Sequence, residues 1–223
     1  KDVRGTSSVI RRVVAEGKTL AEMEDPVALI GENGTGKSFF AQCIHNGSPR
    51  AKKPYIVINA GTIAQQDAAR VLFGSDDGAK PRMGLFELAG GGTIALQGLG
   101  DASEAFFSCL RQVLLQHSYF AVGGVTTIPF SARLLALVTP EERRRIPRDL
   151  WDQLSVFSLN LPLLKDRQED VSTLFRFFLL RESILMPPRT QKELEEILSF
   201  YSWPANLISL SAVSKRYILL YQQ

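Results

Sequence analysis

Residues 31 to 38 read Gly31-Glu32-Asn33-Gly34-Thr35-Gly36-Lys37-Ser38, which is the pattern GxxxxGK[ST], and Phe39 follows. Each position has a chemical reason. Glycines allow backbone geometry that a side chain blocks, so a run of N–H groups can curl around an anion. A helix opening at this point adds its unpaired first-turn N–H groups and the positive end of its dipole. Lys37 supplies a cation for β and γ phosphates, and the Ser38 hydroxyl is a ligand for Mg²⁺. The motif follows the apolar run PVALI (26 to 30), and the residues after it have helical spacing, which is the context this chemistry requires. The competing reading is a glycine-rich turn that only caps a helix.

Other candidate residues have plainer readings. His45 and His117 fall at helix ends, where a partial positive charge is favoured, rather than where a catalytic base is needed. Cys43 and Cys109, 66 positions apart with no partner at a zinc-type spacing, read as small buried apolar groups. The run Arg143-Arg144-Arg145, with Arg148 close by, reads as a solvated helix face. Phe106, Phe107, Phe175, Phe177, Phe178 and Trp203 read as core rather than as a base-stacking platform. Asp101 and Glu87 are the nearby carboxylates that could serve as a base, though Asp101 with Glu104 forms a capping-box pattern.

The elements that must hold these residues are legible. Short apolar runs at 26 to 30, 55 to 60, 92 to 97, 133 to 138 and 156 to 161 predict buried strands. Helical spacing over Ser38 to His45 and Ala102 to Gln116 lies between them, which predicts an α/β fold: a parallel sheet with helices on both faces and ligand chemistry at the strands' carboxyl ends. After LPLLKDRQED (161 to 170) the strand signals stop. Helices are expected at Asp170 to Leu185, at Thr190 to Phe200 with Thr190 and Glu193 as a capping box, and at Pro204 to Tyr221. This divides the chain into an α/β core, 1 to 164, and an all-helical remainder, 165 to 223.

Composition agrees with a globular chain. The 223 residues include 26 Lys+Arg and 23 Asp+Glu, a net charge of +3, and 45% hydrophobic residues at a mean hydropathy near zero. That is too apolar for a disordered chain, and no apolar run approaches the ~18 residues a membrane span needs. The net charge is too diffuse to name a nucleic-acid partner. The chain starts at Lys1 and its first residues lack a secretory pattern, so the expectation is a fragment of a cytoplasmic protein.

Several blocks together resemble the AAA+ domain of bacterial enhancer-binding proteins, the activators of sigma-54 RNA polymerase. GENGTGKSFFAQCIHNGSPRAKKPYIVINA is similar to the family's phosphate loop and second strand, and GLFELAGGGTIAL to its run into the Walker B strand. LPLLKDRQED and YSWPAN are similar to its later signatures, so the likeness runs from about Gly5 to Leu219. The resemblance implies an AAA+ P-loop core with a helical lid, ATP or ADP with Mg²⁺, and self-association through AAA+ interfaces. It also implies a transcription regulator whose partners include RNA polymerase or other regulators, with DNA contacted only through modules outside this stretch.

Departures fall where such proteins do work. The family's Walker B Asp-Glu is replaced by Gln97-Gly98, leaving no carboxylate to polarise water, a loss of ~10² to 10⁴ in rate. Its two arginine fingers align with Pro147 and Gln153, its lid arginine with Ile208, and its sensor asparagine with Thr139. Its GAFTGA loop, which touches sigma-54, has no counterpart: Leu72-Phe73-Gly74 runs through Met83 into Gly84. Relatives of the aromatic amino acid repressor type also lack that loop and act on the ordinary polymerase. The expectation is a nucleotide-binding regulatory and oligomerisation domain with no catalytic residues assigned, holding nucleotide through Gly31, Glu32, Asn33, Gly34, Thr35, Gly36, Lys37, Ser38 and Phe39. The alternatives are a slow ATPase that uses Arg148 or Arg143 as finger and Asp101 as base, and a scaffold without nucleotide.

Overall fold

A computed structural model describes residues 3–76, 80–181, 194, 197–198 and 200–221. Five strands form its main sheet: β1 (Val27–Ile30), β2 (Tyr55–Asn59), β3 (Thr93–Gln97), β4 (Arg133–Val138) and β5 (Phe157–Asn160). They pair in parallel in the order β2-β3-β4-β1-β5. All five runs expected from sequence are strands, each within a residue of its expected ends. Alternation assigns their two faces. Ala28, Leu96, Ala136 and Val138 join one buried cluster, whereas Val27, Leu29, Ala95, Leu135 and Leu137 join the other. Because both faces are covered, the central strands have no polar alternation, as a parallel sheet requires.

Helices cover the sheet. Helix α1 (Ser8–Ala21) is capped by Ser7 and buries Ile10, Val13 and Leu20. Helix α2 is Lys37–Asn46, and α3 is Glu104–Gln116. The cap of α3 is Ser103, whose hydroxyl accepts from Phe106 N, and not Asp101. Leu99–Asp101 is instead a tight 3₁₀ turn, so Asp101 sits too early to cap and pairs with Arg145 at 2.6 Å. Helices α4 (Pro140–Arg143) and α5 (Arg148–Leu154) follow β4.

Register aligns the carboxyl ends of the strands. Asn59 lies beside Gln97, Gln97 beside Leu137, and Ile30 between Val138 and Asn160. Loops leaving β1, β2, β3 and β4 therefore emerge along one edge, where α/β folds place ligands.

Beyond a 3₁₀ segment at Leu164–Asp170 come α6 (Val171–Arg181) and α7 (Asn206–Tyr221). Their Leu174, Phe175, Leu179 and Leu210 join Leu164 and Trp203, from outside the two helices, in a third cluster. The expected Thr190 to Phe200 helix, its Thr190/Glu193 capping box and Pro187-Pro188 lie largely or wholly outside the described residues. Among these residues, no helix is long and apolar enough to cross a membrane.

Two short strands pair in the region where a GAFTGA loop would sit. Gly74–Ser75 pairs antiparallel with Arg82–Met83, and a side chain at Gly84 would run into the backbone of Leu72, Phe73 and Gly74. The LFG and GLFE blocks thus close directly on one another.

Candidate nucleotide site

The loop between β1 and α2 begins where Gly31 N–H donates to Val138 O at 3.1 Å, which fixes it to the neighbouring strand. Gly34 (φ 78°) and Gly36 (φ 105°) both occupy the left-handed region, where a Cβ is strained. Gly36 caps α2 without any side-chain acceptor, so the helix presents its first-turn N–H groups to the cleft. The Thr35 hydroxyl donates to Glu32 O at 2.8 Å and closes the loop from within.

Lys37 Nζ donates to Gly31 O at 2.6 Å and to Glu32 O at 3.2 Å, so the ammonium lies over the loop's own carbonyls. Burial pushes its pKa below the ordinary lysine value, opposed by the carboxylates of Glu142 and Glu32. Ser38 and Phe39 follow at the exposed start of α2.

A cleft of about 740 Å³ opens over this loop, and Asn33, Gly34, Gly36, Lys37, Ser38 and Phe39 line it. Asn59, Gln97, Gly98 and Glu142 come to it from the strand ends, and Ile208 and Lys215 from α7. Of the expected loop residues, Gly31, Glu32 and Thr35 do not line it; they shape and anchor its floor. A second cavity of about 540 Å³ shares Gly36, Phe39, Phe178 and Leu207 with the first and adds Arg4, Arg167 and Phe177. The Arg4 guanidinium lies 4.5 Å from the Phe177 ring centroid, a cation–π contact. Phe178 was expected in the core, yet it is half-buried and belongs to both cavity walls.

The helical part grips the loop directly. Leu207 N–H donates to Gly34 O at 3.0 Å, and Asn206 Nδ2 to Asn33 O at 2.9 Å. A Cβ on Gly34 would collide with Ala205 O, so glycine permits this close approach as well as the backbone turn. Arg167, 3% exposed, donates to Thr35 O at 3.2 Å. Burial lowers its pKa, with Asp170 opposing. Asp170, fully buried, accepts from Thr6 N, Ser7 N and Ser7 Oγ at 2.6 to 2.9 Å.

Several other sequence-derived candidates lie elsewhere. Asp101 is exposed and paired with Arg145, and Glu87 lies near the buried Tyr119, so neither lines the cleft. The Arg143 to Arg145 run is exposed, with Arg143 over the Trp151 ring. His45 differs from expectation. It is 3% exposed, shares a 2.9 Å hydrogen bond with Thr93 Oγ1, and burial lowers its pKa, so the neutral ring is favoured over the cation. His117 ends α3 in the left-handed region at φ 50°.

Sequence reasoning missed Asn59, Glu142, Leu207 and Lys215 as cleft residues. Glu142 alone had a local signal: Thr139-x-x-Glu142 is a capping box directly after a strand.

Comparison with known proteins agrees with this architecture. Residues 3–160 match the family model described as the Sigma-54 interaction domain. The chain is 37% identical over 187 residues to a Nif-specific regulatory protein of Rhodobacter capsulatus, covering 79% of this chain and 32% of that one. It is 35% identical over 228 residues to a Nif-specific regulatory protein of Sinorhizobium fredii, covering 95% and 38%. It therefore spans about a third of the length of these relatives. Among solved structures, NtrX from Brucella abortus in complex with ATP superposes with a TM-score of 0.84 at 25% identity, covering 99% of this chain and 53% of NtrX. An ADP complex of the same protein gives 0.85 at 26%, covering 98% and 51%. With its AAA+ fold, its strand order and a family model that matches well over half its length, the chain belongs to the Sigma-54 interaction domain family.

Proposed function

We propose that this chain is the nucleotide-binding regulatory and oligomerisation domain of a transcription regulator, which holds ATP or ADP and hydrolyses it slowly or not at all. The carrying observation is that the cleft keeps its phosphate cradle and lacks the carboxylates of a Walker B strand. The phosphate tail would lie on the N–H groups of Gly34 to Ser38 with Lys37 alongside, and the base would enter the second cavity beside Phe39, Phe177 and Phe178. That NtrX is solved in complex with ATP and with ADP supports the nucleotide-binding part of this reading.

Mg²⁺ fits the donors present, since the cleft offers oxygens of Ser38, Gln97 and Glu142, and hard cations take oxygen ligands. Bound there, the ion would neutralise phosphate charge and orient the tail. Ser38 would hold it through its hydroxyl, while Gln97, being neutral, would hold it or its water weakly. Gly98 offers no group to take a proton from water.

We divide the chain into a core, 1–164, and a helical lid, 165–223. Nucleotide would touch both parts, so occupancy biases their relative placement and the association of protomers. The stretch from Ser75 to Met83, short and without the GAFTGA motif, argues against sigma-54 remodelling. Against the slow-ATPase alternative stands the position of Asp101, which pairs with Arg145 and does not line the cleft.

Calorimetric titration with ATP and Mg²⁺, followed by a steady-state ATPase assay at high protein concentration, tests the reading. Saturable heat with turnover far below that of a working AAA+ motor is the expected result. Absence of binding, or brisk turnover, contradicts it.

A further inference from the structure

We infer that Glu142 is the metal-associated carboxylate of this cleft, standing in space where the Walker B strand stands in sequence. The inference rests on the nucleotide reading above and concerns how the metal is held.

Three observations place Glu142 there. It lines the same cleft as Ser38, Lys37 and Gln97, although it comes from the first turn after β4 rather than from the end of β3. Its carboxylate is fixed: Oε2 accepts Thr139 N–H at 2.7 Å, and Thr139 Oγ1 accepts Glu142 N–H at 3.1 Å. The cap uses Oε2 and leaves Oε1 without a hydrogen bond among the described residues.

The neighbouring strand end makes room for it. A Cβ on Gly100 would sit 2.9 Å from Cα, Cβ and Cγ of Glu142, so the turn after β3 can lie against Glu142 only with glycine there. Position 98 cannot take over the role. Gly98 is at φ 66°, and a side chain would strike Asn59 Oδ1. A hard cation bound to a phosphate tail and Ser38 needs anionic oxygen close by, directly or through its water, and Mg²⁺ is usually held by one or two carboxylates plus phosphate. Among the described residues lining the cleft, Glu142 is the acidic one.

Mn²⁺, titrated into the protein complexed with ADP and followed by electron paramagnetic resonance, tests this in the full chain. Glu142→Gln keeps an amide oxygen for the Thr139 cap, so the fold is retained, which a thermal melt checks. Loss of a metal-orienting carboxylate costs about 10- to 100-fold in metal affinity. The expected result is a Mn²⁺ affinity about tenfold or more weaker in Glu142→Gln. Metal-free ADP affinity, measured by calorimetry, should be unchanged or tighter, since a negative charge has left the phosphate site. Asp101→Asn, which removes a carboxylate outside the cleft, should bind Mn²⁺ as the unaltered chain does. Equal Mn²⁺ affinity in Glu142→Gln and unaltered protein, with ADP still bound, overturns the inference alone. Parallel weakening of metal-free ADP binding marks Glu142 as structural and also overturns it. No ADP binding by the unaltered chain overturns both this and the reading beneath it.

Discussion

Asn206 Nδ2 donates to the carbonyl of Asn33 at 2.9 Å, and its Oδ1 accepts the amide of Leu164 at 2.8 Å, so one side chain joins the phosphate loop to the start of the helical part. Asn206 also has φ 51°, a conformation that asparagine tolerates better than most residues. Asn206→Ala strands a buried amide and sets alanine in the left-handed region. The expected loss is about 2 to 4 kcal/mol in urea unfolding, from the unpaired donor and the backbone strain together. Nucleotide affinity should fall with it, because the loop loses an anchor.

Lys37→Ala should weaken nucleotide binding at least about 10- to 100-fold, as expected for charge-assisted hydrogen bonds to phosphate, read by calorimetry. The pH dependence has a definite sign. Burial holds the Lys37 pKa below 10.5 in the free protein, and anionic phosphate oxygens placed beside it would raise it on binding. Binding therefore takes up protons as pH nears that lowered value, and affinity drops as pH rises through it. Proton uptake, measured in buffers of different ionisation enthalpy, should be positive there.

His45 predicts an acid-side instability. Its folded pKa lies below the ordinary 6.5, chiefly through burial, so the unfolded chain binds the proton more readily. Stability is therefore full above 6.5 and is lost as pH falls through that value toward the folded pKa. Urea midpoints at pH 7.5 and 5.0 should differ, and the part of the difference owed to His45 should vanish in His45→Gln, whose amide can still meet Thr93.

Restoring the Walker B acids should not restore hydrolysis. In Gln97→Asp with Gly98→Glu, the new glutamate must adopt φ near 66° and displace Asn59. A cost of about 1 to 3 kcal/mol is expected, together with turnover within about twofold of the unaltered chain. A double variant that gained a hundredfold in steady-state turnover would show that the acids at positions 97 and 98 are the missing parts and that the vacant finger positions are not.

The sheet was legible because its signals are local. Each strand is a short apolar run between polar or glycine residues, and the phosphate loop is one contiguous string. Residues that reach the cleft across the sequence were not. Asn206 and Asn33 are 173 positions apart, and Arg167 and Thr35 are 132. No spacing rule relates such pairs, since only the packing of the helical part onto the loop brings them together. Asp101 shows the opposite error. Its capping pattern with Glu104 is sound as a string, but the 3₁₀ turn at Leu99–Asp101 places Ser103 at the helix start instead.

Asp170, bound to Thr6 and Ser7, lies three residues past Arg167, which reaches Thr35. The cradle's curvature is thus braced by segments at both ends of the fold. A peptide cut to residues 27 to 46 would carry every letter of the motif and none of that bracing, so it should grip triphosphate poorly: the string is short, whereas the receptacle is as large as the domain.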